Sequence, residues 1–235
     1  QQGLWRFFQV IDQIEFRASA AVILCFLAVL FMGKPVIYWL IRQKIGDNPQ
    51  FYHDDLNKLT RQKATTPTMG GIMIVAAIGG TILLLADMSN FYIHMALLAL
   101  IWLAGLGIAD DWLKLTSARR SPGSRQGLKS WEKMLFQVGL ALLLGLFIHF
   151  HGQNNPTTQL LVLPFQRTFE PGTANLAEGL IFLPNWAFGL VAIFVITGSS
   201  NAANLTDGMD GLAAGILAIC SFAFLVLCVI AGSEL

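Results

Sequence analysis

The chain has 235 residues, of which 55% are apolar and 12% carry a formal charge, and its mean hydropathy is +0.61. Soluble domains carry charge on about a quarter of their residues, so the composition argues against a soluble globular domain and for a multi-span membrane protein. Fifteen Lys and Arg are set against fourteen Asp and Glu, a formal net charge of +1, which offers no basic footprint for nucleic acid.

Crossing about 30 Å of hydrocarbon takes roughly 20 mostly apolar residues. Six segments meet or approach that length, at residues 18–40, 68–86, 91–109, 131–150, 180–198 and 212–230. The expected fold is therefore all-α, a polytopic membrane helix bundle of about six transmembrane helices, with residues 1–235 forming a single integral membrane domain. The first segment carries Lys34-Pro35, which predicts a kink and a lysine reaching for the headgroups. A long polar loop follows at 42–67, a short turn at 87–90, a basic loop at 110–130, and a nearly uncharged connection at 151–179 that reads as irregular. Cys25, Cys220 and Cys228 lie inside apolar runs without CxxC spacing, so they read as small hydrophobes. His53, His94, His149 and His151 are scattered, which argues against a histidine metal site. The chain opens on Gln1 without a secretory signal pattern and stops at Leu235 just past an apolar run, so both ends read as those of a fragment.

Short loops rich in Lys and Arg mark the cytoplasmic side. Arg42, Lys44, Lys58, Arg61 and Lys63 fall in one such loop, and Lys114, Arg119, Arg120, Arg125, Lys129 and Lys133 in the next; together they are eleven of the fifteen basic residues. The amino-terminal end is then expected outside, and the sixth span runs back outward.

Three polar clusters fall on that cytoplasmic face. The first is Lys63-Ala-Thr-Thr-Pro-Thr-Met-Gly-Gly71. Thr66 as N-cap, Pro67 at the first helical position and a close helix approach at Gly70-Gly71 form one reading. A phosphate bound at the helix N-terminus beside Lys63 and Thr68 is the other. The second is Asp110-Asp111, at the end of the third apolar run. Two carboxylates at a helix C-terminus oppose its dipole, so a purely structural role explains them poorly. A divalent cation such as Mg²⁺ or a general base explains them better. The third is Asn201-Ala-Ala-Asn204-Leu-Thr-Asp207-Gly-Met-Asp210-Gly211, in which Asn204, Asp207 and Asp210 recur every three residues. They line one side of a helix, or else the two Asp-Gly pairs are ordinary turns. One shared polar cleft is the economical account of three clusters on one face. A transporter would place its ionisable groups nearer the midplane and in paired halves.

Thr66-Pro-Thr-Met-Gly-Gly71, Asp110-Asp111 and Asn201 to Ala213 resemble, in order and spacing, the phospho-N-acetylmuramoyl-pentapeptide transferases of the polyprenyl-phosphate N-acetylhexosamine-1-phosphate transferase family. The GlcNAc-1-phosphate branch is similar around the aspartates but usually lacks the threonine string, and it is the nearest alternative. The resemblance implies a Mg²⁺-dependent reaction at the cytoplasmic face of the bacterial inner membrane, joining UDP-MurNAc-pentapeptide to undecaprenyl phosphate and releasing UMP. It casts Asp110 as the group that deprotonates or positions the lipid phosphate, Asp111 as its neighbour in the Mg²⁺ and phosphate site, and Asp207 as a further catalytic or metal-binding carboxylate. Lys63 and Thr68 resemble nucleotide-side residues, and Asn204, Asp207 and Asp210 resemble the wall that holds the uridine diphosphate, with Lys114 and Lys133 nearby. A homodimer is a further expectation. The family pattern continues past Leu235 with more spans, another aspartate and a histidine-rich loop, so residues 1–235 alone are expected to be inactive.

Overall fold

The structure, a computed structural model, describes residues 13–42, 69–120, 127–154, 156–163, 166–170, 175–207 and 211–233. Among these the chain forms six α-helices: α1 Ile14–Arg42, α2 Gly71–Leu85, α3 Phe91–Arg120, α4 Ser130–His151, α5 Asn185–Thr206 and α6 Leu212–Ser233. The all-α expectation holds apart from a two-stranded antiparallel pair, β1 Leu160–Leu161 and β2 Ile181–Phe182, with Leu160 opposite Phe182. That pair, and an antiparallel bridge between Phe169 and Leu176, give order to a connection that reads as irregular in the sequence.

Four helices, α1, α3, α4 and α5, are long and apolar enough to cross a membrane. The 15 residues of α2 rise about 22 Å, short of the hydrocarbon thickness, and α6 offers a shorter apolar stretch, Leu212–Cys228. Large apolar side chains point outward along the helices: Phe31 and Leu84 are each 73% exposed, whereas only Leu40 and Leu140 are fully enclosed among the described large side chains. Water would penalise that arrangement by about 25 cal/mol per Å² of apolar surface, and lipid does not.

Two helix boundaries differ from expectation. α2 starts at Gly71, because Met69 adopts φ +68°, a left-handed conformation uncommon outside glycine that breaks the helical path. Gly70 holds the cap position of α2, and the reading of Thr66 as cap with Pro67 at the first helical position falls outside the described residues. At the other boundary, α3 runs through Asp110 and Asp111 to Arg120, so the two carboxylates sit inside a helix rather than at its C-terminus. The dipole argument against them lapses. The helix continues past the apolar run because Asp110 and Lys114 pair at i,i+4 and Asp111 and Lys114 at i,i+3.

The chain packs as two compact units, Gln1–Phe136 and Gln137–Leu235, the division falling within α4. In the first, α2 and α3 form a hairpin through residues 86–90. Asp87 Oδ1 accepts hydrogen bonds from the Ser89 hydroxyl (2.7 Å) and backbone N–H (2.9 Å), which hold this carboxyl below its usual range, and Asn90 Oδ1 caps α3 through the Tyr92 N–H at 2.9 Å. α4 opens with Lys129 at its cap position, whose N–H donates to Glu132 Oε2 at 2.7 Å, one half of a capping box. In the second unit α4 and α5 run antiparallel: Gln137 meets Ser200 and Asn201, Gly145 meets Ala192, and the His149 ring lies 5.6 Å from that of Phe188.

Candidate functional site

Asp110 is the most enclosed carboxylate of the described residues, at 8% exposure. A buried carboxylate must be paired or hydrogen-bonded to stay charged, and Asp110 is both. Its Oδ2 lies 2.7 Å from Lys114 Nζ and 2.8 Å from Lys133 Nζ, and its Oδ1 accepts the Leu128 N–H at 2.8 Å. Lys114 comes from the next turn of α3, Lys133 from the first turns of α4, and Leu128 from the segment between the two helices. One carboxylate thus joins α3, α4 and their connection. Gly127 makes the fit possible, because a Cβ there would collide with Asp110 Oδ1 and would stand 3.0 Å from Lys114 Cγ.

Asp111 has a different setting. Its side chain is 35% exposed, its Oδ1 stands 3.7 Å from Lys114 Nζ, and it closes one end of a cavity of about 320 Å³ between α2 and α3. Met69, Ile72, Val75, Ala104 and Ile108 supply apolar walls for that cavity. An apolar slot whose one charged lining residue, Asp111, has the Lys114 ammonium 3.7 Å away suits a ligand that is part lipid and part charged head.

The third cluster belongs to the second unit. Asn201 and Asn204 lie in the last turns of α5, and Asp207 is its C-cap residue, with φ −78° and ψ 17°. Of the three residues in the helical reading, Asn204 is helical and Asp207 caps the helix, while Gly211, with a φ of +81° that favours glycine, stands where the chain enters α6. Asn204 and Asp207 are exposed. Of the residues singled out in the sequence, Asp110, Asp111, Lys114 and Lys133 are brought together in the first unit, and Asn204 and Asp207 follow one another along the end of α5. Lys63, Thr68 and Asp210 lie outside the described residues. Gly127, Leu128, Gln137 and Ser200 belong to these clusters without having been singled out.

No group of three His, Cys, Asp or Glu side chains that could hold a metal occurs among the described residues. Mg²⁺ makes a smaller demand, since it is commonly held by one or two carboxylates with substrate phosphates and water completing its shell. Asp111 fits that pattern, being a partly open carboxylate, whereas both oxygens of Asp110 are already engaged by N–H donors.

Four helices of membrane-crossing length, outward-facing apolar side chains and a carboxylate–lysine cluster near the end of one of those helices define an integral membrane protein. The chain belongs to glycosyl transferase family 4, whose family model matches residues 93–234, a stretch that takes in Asp110, Asp111, Lys114, Lys133, Asn204 and Asp207. It is similar to the phospho-N-acetylmuramoyl-pentapeptide-transferase of Thermodesulfovibrio yellowstonii, at 36% identity over 223 residues, 95% of this chain and 56% of that protein. The protein of the same name from Salinibacter ruber is 32% identical over 234 residues, 96% of this chain and 58% of the relative. That from Chlorobium chlorochromatii is 35% identical over 211 residues, 90% and 52% respectively. The chain therefore spans just over half the length of these curated relatives. The kinship inferred from the three motifs holds at the level of the family.

Proposed function

We propose that this chain is part of a transferase that moves phospho-N-acetylmuramoyl-pentapeptide from UDP to undecaprenyl phosphate, at the cytoplasmic face of a bacterial inner membrane. An oxygen of the lipid phosphate attacks the sugar-bearing phosphorus of the nucleotide, the diphosphate bond to UMP breaks, and UMP leaves. Phosphoryl transfer of this kind calls for positioning and charge neutralisation more than for covalent help from the protein. The observation that carries the reading is the clasp of Lys114 and Lys133 on Asp110, beside the apolar slot that Asp111 closes.

In that reading the two lysines engage phosphate oxygens. Asp110 Oδ2 is shared by both ammonium groups, so proton uptake there requires that one of them first turn to a phosphate. Asp111 supplies a carboxylate to Mg²⁺, with Asp207 as the other candidate. When bound, Mg²⁺ would neutralise charge on the transferring phosphates. The cluster of Asp110, Asp111, Lys114 and Lys133 is neutral in sum, so a dianionic phosphate and a divalent cation entering together keep it so. Asn204, Asp207 and Asp210 hold the uridine diphosphate, with Lys63 and Thr68 on the nucleotide side.

The test is UMP release by the full-length protein from UDP-MurNAc-pentapeptide, undecaprenyl phosphate and Mg²⁺. Asp110→Asn is expected to lower turnover by about 10²-fold or more, with the fold retained. Near-normal transfer in a folded variant would remove Asp110 from the reaction. Residues 1–235 alone should release no UMP in the same assay.

A further inference from the structure

Between Lys133 and His149, α4 carries one polar side chain, Gln137, and it is 4% exposed. A lone amide in an apolar helix is costly unless both of its ends are satisfied. Here they are. Gln137 Nε2 donates to Ser200 Oγ at 2.9 Å, and Gln137 Oε1 accepts from Asn201 Nδ2 at 2.8 Å. Asn201 Nδ2 also donates to the Thr197 backbone oxygen at 2.8 Å, so its amide is held from two directions.

We infer that Gln137 is a positioning residue for the substrate-binding end of α5, acting through Ser200 and Asn201 on Asn204 and Asp207; the inference rests on the proposed role of those two in holding the nucleotide. Apolar contacts between helices are tolerant of rotation. A two-way amide bridge is directional and admits one rotational setting of α5 against α4. Successive residues turn by about 100°, so Asn204 projects between Ser200 and Asn201, and Asp207 about 20° from Ser200. Both then lie on the side of α5 that carries the bridge, beyond it toward the C-cap, and both are exposed. The bridge stands one turn before Asn204. Farther back, the α4–α5 contact is made by small residues: a Cβ at Gly145 would come within 3.2 Å of the Ala192 Cβ and 3.9 Å of the Gly189 Cα. Small residues set the separation of two helices. The amide bridge sets their rotation where the polar end of α5 begins.

The test uses the full-length enzyme, with steady-state kinetics in each substrate and an unfolding midpoint for every variant. Gln137→Leu is expected to raise the KM for UDP-MurNAc-pentapeptide by about fivefold or more and to leave the KM for undecaprenyl phosphate within twofold. Gln137→Glu, neutral when buried and then able both to donate and to accept, should restore most of the loss. Should Gln137→Leu fail to fold, Ser200→Ala removes one hydrogen bond alone and should raise the nucleotide KM in the same direction. Asp207→Ala separates the two levels of the argument. If it leaves nucleotide affinity unchanged, the proposed role of the α5 end is wrong. If it weakens nucleotide affinity while folded Gln137→Leu and Ser200→Ala do not, the positioning role is overturned. Equal rises in both KM values, or no recovery in Gln137→Glu, would also overturn it.

Discussion

Gly127→Ala adds a single methyl group at the point where the chain between α3 and α4 folds over Asp110. The new Cβ would overlap Asp110 Oδ1 and stand 3.0 and 3.1 Å from Lys114 Cγ and Cε. The lysine carbons can give way, but Asp110 cannot move far, because its other oxygen is held by Lys114 and Lys133 at 2.7 and 2.8 Å. The backbone must therefore withdraw and take the Leu128 N–H out of its 2.8 Å bond to Oδ1. A hydrogen bond to a charged acceptor contributes about 1.5–3 kcal/mol, so a loss of about 2 kcal/mol is expected. For a chain of this size that is a fall in unfolding midpoint of about 4–8 °C, read by thermal unfolding in detergent. Gly139→Ala is the matched control: Gly139 lies in α4 with nothing within 4 Å of its added Cβ, so helix propensity alone should make that change neutral or stabilising by up to about 1 kcal/mol. If both variants unfold within about 1 °C of the parent, the segment does not pack on Asp110 and the clasp is wrongly described.

Lys133→Met removes one of the two cations on Asp110 and keeps most of the side-chain length. Lys114 remains at 2.7 Å, so the fold should survive with a loss of about 1–2 kcal/mol, while UMP release falls by about 10-fold or more if the lysine also serves phosphate; full activity would separate it from the reaction. Gly145→Leu would drive a branched side chain into Ala192 and Gly189 and is expected to destabilise the α4–α5 pair by about 1–3 kcal/mol. An unfolding midpoint equal to that of the parent would contradict the close approach.

What could be read from the sequence was local or compositional. Asp110, Asp111 and Lys114 lie three and four residues apart, so any helix through them brings their charges together, and apolar runs locate most of a helix whatever it packs against. The helix ends could not be read in the same way, because hydropathy reports contact with lipid and not the persistence of backbone hydrogen bonds: α3 outlasts its apolar run by eleven residues, and α2 begins late because of the backbone at Met69. Leu128 and Lys133 reach Asp110 across 18 and 23 residues, and Gln137 meets Ser200 and Asn201 across 63 and 64. Nothing periodic encodes such meetings. Gln137 did leave a signal as a solitary amide in an apolar run, a position where a polar group requires a partner. The strands β1 and β2, two residues each, are too short to show alternation.

The overrun of α3 bears directly on what the site can reach. Its 30 residues rise about 45 Å, of which residues 91–109 account for about 28 Å, close to the thickness of the hydrocarbon layer. Asp110 and Asp111 then fall where hydrocarbon gives way to headgroups, and Lys114 stands one turn, about 5 Å, farther out. A lipid phosphate is confined to that same depth by its own chain. The apolar slot below Asp111 offers a place for the first part of such a chain, and the lysines a place for its charge. A soluble nucleotide has no such confinement and must be captured from water, which suits the exposed Asn204 and Asp207 at the end of α5. Depth and exposure thus add support, beside residue type, to the acceptor and donor roles proposed for the two sets of residues.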